Sequence, residues 1–138
     1  MAQKMTLALF SGSVDKLTCA GVILSGAAAD DMDIDVFVLL QGAHAFKKEN
    51  AGAKGTMAEM AHKEEEFRAS LVRLQVKPWM EMFREAKEMT NMKIHVCGLA
   101  GKIWGGVTLE DFNDLADDIC GIGEYITSAQ QADVHLFI

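Results

Sequence analysis

Apolar and polar positions along this chain follow two different periods. The segment "KMTLALF", Lys4 to Phe10, is a short apolar run of strand length closed by Ser11, Gly12 and Ser13. Leu17, Ala20, Gly21, Leu24 and Ala28 then recur at helical spacing, with Ser13 placed to cap the helix. Next comes "DIDVFVLL", Asp33 to Leu40, whose wealth of Val, Ile and Leu predicts a strand covered on both faces. A strand, helix, strand unit of this length closes most simply as a right-handed crossover between parallel strands.

From Gln41 to Val76 the pattern weakens. "GAHAFKKENAGAKGT" is small, polar and basic, and reads as a loop or a frayed helical turn. Beyond it, Met60, Phe67, Leu71 and Leu74 fit one helix face, with Lys63, Glu64, Glu65, Glu66 and Arg68 left to solvent. Pro78 stands where a helix can begin, and Trp79, Met82, Phe83 and Ala86 form its apolar stripe. "KIHVC", Lys93 to Cys97, is a third strand, followed directly by the glycine-rich "GLAGKIWGG".

Thr108 and Asp111 then carry a capping-box signature before Leu109, Phe112, Leu115 and Ile119. Ile119 and Cys120 suggest a small strand. Ile122, Tyr125, Ile126 and Ala129 share a helix face, and "DVHLFI", Asp133 to Ile138, closes the chain as a last strand. Strands alternating with helices predict an α/β chain: a three-layer α/β/α sandwich on a mostly parallel sheet of about five strands, organised as one domain over residues 1–138.

Composition narrows the function. A chain of 138 residues, half of them hydrophobic, is long enough to fold around its own core without disulfides or metals. A net charge of −7 argues against binding a nucleic-acid backbone, which needs a basic face. The longest apolar stretch, around "AGVILSGAAA", is about half of what a bilayer span requires, so no membrane insertion is expected. With no secretory signal read at the N-terminus, the expected location is the cytoplasm, where thiols stay reduced. Three cysteines, Cys19, Cys97 and Cys120, at wide and irregular spacing make neither a disulfide framework nor a zinc pattern.

Cys97 is the candidate nucleophile. It lies at the C-terminal end of a predicted strand, where ligands gather in parallel sheets. The glycines after it let backbone approach a bound group, and Lys102 with the nearby amides would favour a thiolate. The competing reading is a buried cysteine acting as a small hydrophobe. His95, two residues earlier on the same strand face, is placed as a base for the thiol or as a packed, hydrogen-bonded strand histidine. Cys19 reads as a packing residue, and Cys120 as filler or a resolving thiol. "SGSVDK" offers a weak phosphate cradle, and the acidic run Asp30, Asp31, Asp33 and Asp35 reads as a solvated turn. Six of the nine methionines fall between Met57 and Met92, on helices more apolar than one small layer must bury.

Three stretches together resemble the DsrE/DsrF-like family. These are "LALFSGSVDKLTCAGVILSGAAADDMDIDVFVLLQG", the cysteine strand "MKIHVCGLAGKIWGG", and "EYITSAQQADVHLFI". Within that family the chain is most similar to the single-chain, peroxiredoxin-like subgroup. The resemblance implies a sulfur carrier or sulfurtransferase that holds sulfur as a persulfide on Cys97, with no metal or organic cofactor. It implies a rhodanese-type donor and a small sulfur-carrier protein as partners, and a homo-oligomer. Gly98, Gly101, Lys102 and Gly105 would shape the pocket around the held sulfur, and Trp104 would shield it. The family's loop and the end of its second strand differ from "GLAGKIW" and "VLLQGAH" here. The alternative is a noncatalytic oligomeric or nucleotide/flavin-binding module in which Cys97 is structural.

Overall fold

The computed structural model describes residues 2–50 and 55–138. Its frame is a five-stranded sheet in the order β4-β3-β2-β1-β5. The strands are β1 (Lys4–Leu9), β2 (Asp33–Val38), β3 (Met92–Cys97), β4 (Asp118–Cys120) and β5 (Val134–Phe137). Every pairing is parallel. The three-layer α/β/α arrangement read from the sequence is the one adopted, but its two outer layers are unequal.

Strand order explains why. From β1 to β2 to β3 to β4 the chain steps in one direction across the sheet, so right-handed crossovers put the connecting helices on one face. There α1 (Val14–Ala29) packs against α4 (Trp79–Met89), and Leu7, Val36 and Ile94, adjacent in register, are wholly buried in the same core as Leu17 and Phe83. The step from β4 back to β5 runs the other way and lays a single helix, α6 (Ile122–Gln131), on the opposite face. Ser128 is the one buried residue of α6. The apolar face expected for this helix is mostly outside, with Ile122 and Ile126 exposed, because the sheet beneath it presents polar groups.

Several local readings are corrected. The segment after β2 is an ordered helix, α2 (Leu40–Phe46), whose Ala43 and Phe46 are buried. Part of the predicted loop, residues 51–54, lies outside the described residues. The helix α3 (Glu64–Arg73) buries no residue, Met60 precedes it in a left-handed conformation, and Leu74 caps it while exposed. The crossover from β2 to β3 is made by α4, so α3 has no sheet to cover. Cys19 is exposed rather than packed, because the buried stripe of α1 runs through Leu17, Ala20, Gly21 and Leu24.

The capping box of Thr108 and Asp111 is present, but it opens only a 3-10 turn, Leu109–Asp111. Phe112 and Leu115 are buried from irregular backbone, tied to α2 by the Asn113 N–H donating to the Phe46 carbonyl at 2.8 Å. No described helix is long and apolar enough to cross a membrane.

Candidate functional site

All five strands end at one concavity. Phe10 follows β1, Leu39 and Leu40 follow β2, and Cys97, Cys120 and Phe137 close β3, β4 and β5. Together with residues of the next helix, they enclose about 700 Å³. This is the carboxyl edge of a parallel sheet, where the strand ends splay and side chains from separate elements converge. The lining is apolar, and among the described residues Lys102 is the one charged side chain in it.

Cys97 stands at the turn from strand to helix. The sequence suggested a loop after it; instead Gly98–Ile103 forms α5, with Cys97 as its N-cap. The Cys97 side chain makes no capping hydrogen bond and is partly buried against the core. Lys102, in the last turn of α5, is exposed at the rim.

The glycines that suggested a flexible cradle have separate duties. Gly98 lines the concavity. Gly101, Trp104 and Gly105 do not. A Cβ on Gly101 would come within 2.8 Å of the Gly106 carbonyl oxygen and 3.0 Å of the Phe112 ring, so this glycine permits close packing. Gly105 takes φ +82° and ends the helix: its N–H donates to the Lys102 carbonyl, and that of Gly106 to the Gly101 carbonyl at 2.7 Å. That pair of bonds is a Schellman stop, which the sequence "KIWGG" signals through its glycines.

Trp104 packs on α2. Its indole N–H donates to the Leu40 carbonyl at 2.8 Å, and its ring meets His44 edge-on at 4.7 Å. Lys47 Nζ donates to the Trp104 carbonyl at 2.6 Å. Trp104 thus fastens α5 to α2 and positions the helix that Cys97 caps.

Cys120 is the register partner of Cys97 on the neighbouring strand, and both side chains line the concavity. The two thiols differ in setting. Cys120 is buried, and desolvation, followed by the charges of Glu124 and Asp118 and by Cys97, pushes its thiol up to about 12. Cys120 is therefore held as a thiol at neutral pH, the state expected of filler and unsuited to a resolving nucleophile.

His95 does not serve Cys97. Its Nδ1–H donates to Asp118 at 2.7 Å and its Nε2–H to Asp35 at 3.0 Å. A carboxylate only accepts, so the ring carries both protons. The Asp35 bond first, with Asp118 adding, raises its pKa to about 8 against the desolvation that opposes it. Asp35 is correspondingly held well below the usual carboxylate range, with help from Lys4 at 3.0 Å and from Ser128, whose hydroxyl donates at 2.9 Å. Ser128 in turn meets the Thr6 hydroxyl at 2.7 Å.

Sequence reading missed this network, placing Asp35 in a solvated turn. The available signal was period two: Asp33, Asp35 and Phe37 alternate with the buried Ile34, Val36 and Val38. Among the described residues no cluster of three or more His, Cys, Asp or Glu side chains is placed to hold a metal ion. "SGSVDK" lies outside the Cys97 concavity and helps line a smaller one of about 370 Å³ with Gln41 and His44.

No family model matches the chain. It is similar to the uncharacterized protein YrkE of Bacillus subtilis (strain 168), with 26% identity over 157 aligned positions that cover 99% of this chain and 97% of that protein. The likeness spans nearly the whole of both chains, so the concavity at the strand ends and the helices around it fall within the matched region.

Proposed function

We propose that this protein is a sulfur carrier or sulfurtransferase acting through Cys97. The observation that supports the reading best is the placement of the Cys97 sulfur: partly buried, free of any capping bond, and opening on the concavity that all five strand ends share. A thiolate there attacks the outer sulfur of a donor persulfide; the donor's S–S bond breaks, its thiolate leaves, and Cys97 is left as Cys97–S–SH. An acceptor thiolate then takes the outer sulfur by the same exchange. Neither step calls for a metal or an organic cofactor. The sequence resemblance supplies the rest of the reading: a rhodanese-type donor and a small sulfur-carrier protein as partners, and a homo-oligomer in the cytoplasm.

Mass spectrometry after incubation with a persulfide donor tests it. The protein should gain about 32 Da per sulfur, reversibly by thiol reductant, with the added mass on Cys97. Cys97→Ser should abolish loading, while Cys19→Ser and Cys120→Ser keep most of it. Normal loading of Cys97→Ser would end the proposal, and a nucleotide or flavin copurifying with such a protein would favour the binding-module alternative. Sedimentation equilibrium at micromolar concentration tests the oligomer, for which exposed Met60, Met89 and Val72 offer apolar surface.

A further inference from the structure

The lining of the concavity also bears on which sulfur compound it accepts. Leu40, Leu99, Ile122 and Phe137 come from α2, α5, α6 and β5, and each is exposed, Leu99 at 67% and Phe137 at 63%. Four elements thus turn solvent-facing apolar side chains toward one opening beside a cysteine. The volume, about 700 Å³, is that of an organic-ligand pocket, and such pockets are mostly apolar with a few fixed polar groups. In a chain of net charge −7 the one charge lining this pocket among the described residues is positive. Lys102 makes no ion pair among the described residues, whereas Lys4, Lys47 and Lys87 all do.

We infer that the Cys97 concavity binds a low-molecular-weight organic persulfide with an apolar body and a single anionic group, the body against Leu99 and Phe137 and the anion at Lys102. The inference rests on the sulfur-transfer reading for its chemistry and on the pocket for its selectivity. Inorganic polysulfide or thiosulfate would surrender strong hydration to an apolar wall for one lysine, a poor exchange. An aryl or alkyl body is drawn in as its apolar surface leaves water. The transfer balances without a further reagent: the Cys97 thiolate attacks the outer sulfur of R–S–SH, the S–S bond breaks, RS⁻ leaves with the electron pair, and Cys97–S–SH carries the transferred sulfur and its proton.

The test compares four donors: the persulfide of 4-(mercaptomethyl)benzoate, neutral benzyl persulfide, glutathione persulfide and inorganic polysulfide. Each organic persulfide is generated from its disulfide and sulfide. Loading of Cys97 is followed by intact mass and normalised to each donor's rate with free N-acetylcysteine. The aryl carboxylate should load at least about tenfold faster than glutathione persulfide or polysulfide, the least that one well-placed methylene confers in an apolar pocket. Lys102→Gln should reduce it to the benzyl rate, and Leu99→Asp should erase the advantage of both aryl donors. Val22→Asp, an exposed change on α1, should alter nothing.

Equal normalised rates, or polysulfide as the fastest donor, would overturn the inference while leaving sulfur transfer standing. A sulfur-free analogue, 4-ethylbenzoate, binding to Cys97→Ser separates the other case. Lys102-dependent binding seen by NMR shift perturbation, with no loading from any donor, would keep the pocket's ligand class and end the sulfur reading. No binding and no loading would end both.

Discussion

The two faces of the sheet are built from the same strands and held by different physics. On the face toward α1 and α4, Leu7, Val36 and Ile94 are buried side by side and the core is continuous. On the face toward α6, the next residues along those strands, Thr6, Asp35 and His95, meet in a chain of hydrogen bonds with Lys4, Asp118 and Ser128. Burial of apolar area is non-directional and large, whereas the polar network contributes less and fixes geometry more. The first face makes the domain stable. The second ties β1, β2, β3, β4 and α6 together, with His95 and Asp118 each two residues before Cys97 and Cys120 on their strands.

The largest effect should come from the apolar face. Phe83→Ala removes a fully buried ring packed edge-on to Trp79 and tilted against Phe46 and should cost about 3–5 kcal/mol in denaturant unfolding. A loss below about 1 kcal/mol would mean that the core is not where stability resides.

On the polar face, His95→Gln should cost about 2 kcal/mol at pH 6, since a charged, largely buried partner of two carboxylates is lost. The pH profile carries the sign. The folded pKa of His95, about 8, lies above its ordinary 6.5, so its contribution is complete below about 6.5 and is lost as pH rises through 8. Wild-type stability should fall across that window and His95→Gln should not follow it. Asp35 works at the other end: its lowered pKa stabilises above the ordinary 3.8 and that contribution disappears as the solution is acidified. Parallel curves for wild type and His95→Gln between pH 6 and 9 would separate His95 from the network.

Smaller again is Ser128→Ala, which removes one hydrogen bond to Asp35 and one to Thr6 and should cost about 1 kcal/mol. At the mouth itself, Cys97→Ser should change stability by only about 0.5 kcal/mol, since the side chain is partly exposed. Iodoacetamide at neutral pH sharpens the contrast between neighbours: Cys120, buried and held as a thiol, should be the last of the three cysteines to react. Early alkylation of Cys120 would show that β4 opens readily.

Much of this fold was legible as pattern. The stripe through Leu17, Ala20, Gly21 and Leu24 located α1, but the reading of Cys19 as a packing residue fails, since residue 19 falls off that stripe and is exposed. The strand ending at Cys97 was legible too, as was the capping box at Thr108 and Asp111. What followed the box was not, since Phe112 and Leu115 are buried by docking against α2 rather than by joining a helix. The glycines of "GLAGKIWGG" were legible as special but not in their purpose: Gly98 lines the mouth, Gly101 and Gly106 pack against Phe112, and Gly105 stops a helix at positive φ.

By itself the sequence determined the alternation of strands and helices, the parallel α/β class and the strand-end position of Cys97. Those follow from periodicity, propensity and the handedness of crossovers, which are local or nearly so. Only the tertiary structure decided that β4 and β5 lie at opposite edges, that the return between them leaves one face to a single helix, and that Cys120 becomes the register partner of Cys97. It also decided that Asp35, Asp118 and Ser128, separated by up to 93 residues, would meet around His95. Strand order is set by how distant segments bury their surfaces together, and no local pattern in the chain records it.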